Sequence, residues 1–117
     1  MEPLWMNKLL EEFDEVLTLF QKSEKYQRYL VLKEKLSKNE KAMKWIEEAK
    51  YYQKELVRLE HTSTASVIPT LEKYQERLKR LEELPIYQAY QESQREINQD
   101  LQEIKKKIEA TLDEILL

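Results

Sequence analysis

Apolar side chains recur at three- and four-residue steps along most of this chain, and the breaks in that rhythm divide it into helices. Trp5, Leu9, Leu10, Phe13, Val16, Leu17 and Phe20 share one side of a helix from about Leu4 to Gln21, with Pro3 suited to its first turn. Ser23 reads as the N-cap of a second helix, its hydroxyl accepting from an early amide and Glu24 lying near the positive dipole end. Tyr26, Tyr29, Leu30 and Leu36 form that helix's apolar side. Asn39 caps a third helix, about Glu40 to Glu60, striped by Ala42, Trp45, Ile46, Ala49, Tyr52, Leu56 and Leu59.

The uncharged polar run from His61 to Ser66 predicts a loop, because its hydroxyls compete with helix hydrogen bonds. Val67, Ile68, Leu71, Tyr74, Leu78 and Leu81 define a fourth helix, in which Pro69 is tolerable only within the first turn. Leu84 and Pro85 mark the next boundary. Beyond Pro85 nothing interrupts the pattern: Tyr90, Gln94, Ile97, Leu101, Ile104, Ile108, Thr111 and Ile115 alternate steps of four and three, a seam normally met by another helix.

The expected fold is therefore all-α, one domain over residues 1–117, with about five helices in a small antiparallel array or bundle and a long C-terminal helix. A dimer is expected as well, since the last helix carries more apolar stripe than a small monomer can cover. Glu24/Arg28, Glu34/Lys38, Glu76/Arg80 and Glu103/Lys107 stand in the favourable order for pairs along a helix. A weak internal echo joins Ser23–Tyr29 to Leu84–Tyr90: each opens a helix and sets two tyrosines on one face.

Composition narrows the chemistry sharply. The 117 residues include no glycine, no cysteine and one histidine, His61. Phosphate-cradling loops, dinucleotide fingerprints and nucleophile elbows all need glycine for positive φ or close backbone approach. Without thiols and with a single imidazole, a zinc centre or nucleophile–base pair lacks its usual groups, so neither metal nor cofactor is expected. The adjacent carboxylates Glu11/Glu12, Glu47/Glu48 and Glu82/Glu83 point in different directions on a helix and form no acid–base dyad. His61 reads as a solvated loop residue, and Trp5 and Trp45 as core or interface anchors. No stretch approaches the ~18 apolar residues of a membrane span, and the opening Met-Glu-Pro-Leu-Trp lacks a leader's basic flank; the chain reads as cytoplasmic.

The net charge of −3 hides an asymmetry, for Lys22 to Lys54 carries ten Lys or Arg against five Glu, leaving −8 elsewhere. That basic region supports an alternative reading, an RNA-binding module acting by phosphate contact. Interleaved Glu favours a solvated helix face and makes direct RNA contact the weaker expectation.

The breaks at Ser-Glu-Xaa-Tyr, at a polar loop and at a proline, together with the stretch Glu82 to Gln102 (proline, aromatic, Ser-Gln, then Asn and Leu), resemble the YlbF/YmcA family of small helical proteins from Gram-positive bacteria, nearest the YmcA branch. The resemblance runs from about Leu9 to Leu116. It implies a non-enzymatic regulator that associates with itself as a helical homodimer, with a related YlbF/YmcA-like chain, and with a YaaT-like partner, in a complex promoting RNA processing by the endoribonuclease RNase Y. Competence, biofilm formation and sporulation depend on that complex in relatives. One departure is the missing cysteine: relatives often carry a cysteine-containing tail linked to iron–sulfur binding, and this chain has no thiolate to offer. Within the resembling stretch Tyr87, Tyr90, Gln94 and Asn98 share one helix side and Arg95 lies beside it, placed to reach a partner's carboxylate. These five are the expected partner-binding residues.

Overall fold

The computed structural model describes residues 3–61 and 64–116, which form five helices: α1 (Leu4–Gln21), α2 (Glu24–Ser37), α3 (Glu40–Leu59), α4 (Thr64–Glu82) and α5 (Pro85–Leu116). Among the described residues there is no strand, and no helix is long and apolar enough to cross a membrane.

The helix boundaries follow local chemistry. Ser23 Oγ accepts from the Tyr26 amide at 3.3 Å and donates to the Phe20 carbonyl at 2.7 Å, so one hydroxyl ends α1 and begins α2. The Asn39 side chain accepts from the Ala42 amide at 2.9 Å. Replacing Asn39 by Ala leaves that first-turn donor unpaired, and should lower the unfolding free energy by about 1 kcal/mol, read as a fall in thermal midpoint with no loss of helical signal. The echo between the two tyrosine segments has a structural counterpart. Gln27 Nε2 donates back to the Gln21 carbonyl at 2.6 Å, and Gln88 Nε2 does the same to the Glu82 carbonyl at 2.5 Å. At both corners a glutamine inside the new helix closes an orphan carbonyl of the old one.

Two expectations need correction at the start of α4. Thr64, Ala65 and Ser66 are helical rather than part of a loop, since the first helical turn has amides without intrahelical partners and tolerates Ser and Thr well. Thr62 and Ser63 lie outside the described residues. Pro69 consequently sits beyond the first turn, inside the helix. The pairs Glu34/Lys38 and Glu76/Arg80 form at 3.2 and 2.5 Å, whereas Arg28 turns from Glu24 to Glu96 on α5, at 3.5 Å.

The chain divides into two compact units, Met1–Val31 with Ser93–Leu117, and Leu32–Glu92. In the second unit α3 and α4 pack closely. Arg80 meets Trp45, Arg77 meets Glu48 and Lys73 meets Tyr52, so rising numbers on one helix face falling numbers on the other, and the pair is antiparallel. Its core is Leu36, Ala42, Ala49 and Leu81, with Trp45, Ile46, Tyr74, Leu78, Leu84, Ile86, Tyr87 and Tyr90 packed around it. Two alanines at the centre allow close helix approach, and Leu81, 1% exposed, fills the space between.

In the first unit, Lys25 reaches Asp100 at 3.2 Å while Arg28 reaches Glu96, again an antiparallel match, here between the start of α2 and α5. Phe20 and Tyr26 stack across the α1–α2 corner with ring centroids 5.3 Å apart.

Candidate functional site

The first unit presents an apolar surface that the described residues leave uncovered. Helix α1 places Leu9, Leu10, Phe13, Val16 and Leu17 on one side, as its periodicity requires, yet buries none of its residues; Leu4 is 88% exposed. A helix of this length gains little stability alone, and normally holds its shape by packing its apolar face. Helix α5 changes character along its length. Ser93 and Ile97 are buried; from there to Leu116 nothing is, and Leu101, Ile108, Leu112, Ile115 and Leu116 are all exposed. The uncovered stretch from Asn98 to Leu116 is about 28 Å long.

Between the two helices lies a groove of about 360 Å³ lined by Phe13, Val16, Leu17 and Phe20 from α1 and by Leu101, Ile104 and Ile108 from α5. Lys105 and Glu109, which face each other at 4.0 Å, complete the lining. A contiguous apolar surface of this kind, bordered by charge, has the make-up of surfaces that proteins use for contact. Chemically it can bury apolar side chains, with the Lys105–Glu109 pair as the charged groups in its lining. Among the described residues no cluster of His, Cys, Asp or Glu could hold a metal ion.

The five residues expected from sequence to bind a partner separate by environment. Tyr87 and Tyr90 are half-buried against the core of the second unit. Burial raises the Tyr87 phenol above its ordinary value, with a hydrogen bond to Gln91 pulling the other way. Gln94, Arg95 and Asn98 are exposed, one to two turns before the apolar stretch of α5. The α1–α5 groove is a second candidate surface, built from the late α5 stripe already expected to meet a partner and from α1. The signal for α1 was present in its apolar stripe, but periodicity reports which residues share a face and not whether that face is covered. Ser93 Oγ is buried without a hydrogen-bond partner among the described residues.

The fold is similar to that of Bacillus subtilis RicA, solved by X-ray crystallography in complex with RicF: the TM-score is 0.79 at 15% sequence identity, over 94% of this chain and 97% of RicA. No curated protein matches the sequence. Residues 9–113 match the family described as control of competence regulator ComK, YlbF/YmcA. With almost its whole length matched, and with the helical fold to accompany it, this chain belongs to the YlbF/YmcA family.

Proposed function

We propose that the protein is a non-enzymatic regulatory subunit that promotes RNase Y-dependent RNA processing by docking protein partners on the uncovered surface of α1 and α5. The observation that carries this reading is a whole amphipathic helix, α1, with no residue buried, beside an α5 that buries no residue between Asn98 and Leu116. Such a surface fits the matching helices of a second chain of the same family, a second copy in the purified protein or a related chain in the cell. The resemblance to RicA, itself solved with RicF, supports a related partner. Gln94, Arg95 and Asn98 add polar contacts upstream on α5, while Tyr87 and Tyr90 fix the start of that helix. A YaaT-like protein and RNase Y complete the assembly.

Deleting the gene in its native cell and mapping transcript ends tests the role. Cleavage at RNase Y-dependent ends should fall and be restored by the wild-type gene, but not by one carrying Ile104→Asp. An unchanged pattern of ends in the deletion strain would overturn the reading.

A further inference from the structure

The second unit carries a feature that the docking surface does not use. Along the α3–α4 hairpin, cations are held against aromatic rings: Lys41 Nζ lies 5.4 Å from the Trp45 centroid and the Arg80 guanidinium 5.9 Å from the same ring. Tyr52 repeats the arrangement with Lys73 at 6.0 Å and Arg77 at 5.9 Å. Lys41, Trp45 and Tyr52 recur at helical spacing on one side of α3, and Lys73, Arg77 and Arg80 do so on α4, so the two rows form one ladder about 16 Å long. Between Lys41 and Lys54 α3 contains no arginine; the fold brings Arg77 and Arg80 from α4 to the rings of Tyr52 and Trp45.

The charges on this ladder are not equivalent. Arg77 is hydrogen-bonded to Glu48, which raises its already high pKa, and Arg80 pairs with Glu76; both are neutralised in place and serve to hold the rings. Lys41 and Lys73 are exposed, and neither has a carboxylate partner among the described residues. Lys44, one turn from Lys41, is exposed too. Tyr51, two helical turns from Lys44 on the same side of α3, stands 60% exposed, its ring edge-on to Tyr52 at 5.4 Å. Exposed ammonium groups without carboxylate partners, on one face with an open aromatic ring, are the elements that hold a single-stranded nucleic acid, the cations taking phosphates and the ring taking a base. An acidic peptide would use the cations but gain nothing from the exposed ring.

We infer that the α3–α4 face binds single-stranded nucleic acid through Lys41, Lys44 and Lys73, with Tyr51 as a stacking platform. The affinity is modest, because few charges contribute, and it is independent of the α1–α5 surface.

Anisotropy of a fluorescein-labelled oligouridylate titrated with the whole protein tests this. With about three phosphate contacts, binding should weaken roughly 20-fold when salt is raised fourfold from 50 mM. The double variant Lys41→Glu, Lys73→Glu should lose about tenfold or more in affinity, and Tyr51→Ala about fivefold or more, with circular dichroism unchanged since all three side chains are exposed. Absence of binding at 50 mM salt overturns the inference, as does a double variant that binds like wild type. Competition by polyglutamate as effective as by unlabelled oligouridylate, with Tyr51→Ala silent, also overturns it and assigns the face to acidic protein segments.

Discussion

Replacing Ile104 by Asp should dissociate the purified protein into single chains and lower its thermal stability. Ile104 lines the α1–α5 groove, to which α1 contributes Val16, Leu17 and Phe20. Covered by a second chain, an aspartate there would be an unpaired carboxylate out of water, costing at least about 2–4 kcal/mol of association free energy, or roughly 30- to 1,000-fold in the dissociation constant. Sedimentation of variant and wild type at equal concentration reads the change directly. Glu109→Gln, on the charged margin of the same groove, should leave association within about threefold, which separates a buried apolar seam from a general sensitivity of the region.

A comparably large effect is expected at Leu81, for a different reason. Among the described residues it is the largest fully buried side chain, and it closes a core otherwise built on Leu36 and two alanines. Alanines cannot move in to fill the space, so Leu81→Ala should leave a cavity costing about 2–5 kcal/mol, a large part of a typical total of about 5–15 kcal/mol. In urea unfolding the midpoint should fall by roughly 2 M. Val57→Ala, on an exposed position of α3, should shift stability by no more than about 0.5 kcal/mol.

These two sites illustrate what the sequence could and could not reveal. Where a single side chain decides the backbone, the reading was sharp: Ser23, Asn39 and Pro85 each open a helix where their chemistry requires it. The run from His61 to Ser66 misled because Ser and Thr suit a helix's first turn as readily as a loop, and α4 uses that freedom to begin at Thr64. The candidate site was half-legible. An excess of apolar stripe on α5 was visible in its seam, whereas helical spacing alone could not show that Tyr87 and Tyr90 also pack partly on the core of the second unit. The α3–α4 ladder was hidden for a deeper reason: its arginines are some thirty residues from the rings they cover, and only the antiparallel hairpin brings them together.

The uncovered surface of α1 and α5 is tested most directly by the mass of the purified wild-type protein in sedimentation equilibrium at tens of micromolar, a range that fills a moderate interface. The expected result is a mass of two chains or a larger assembly, falling toward one chain on dilution and in the Ile104→Asp variant. A single-chain mass for the wild type throughout that range would contradict it.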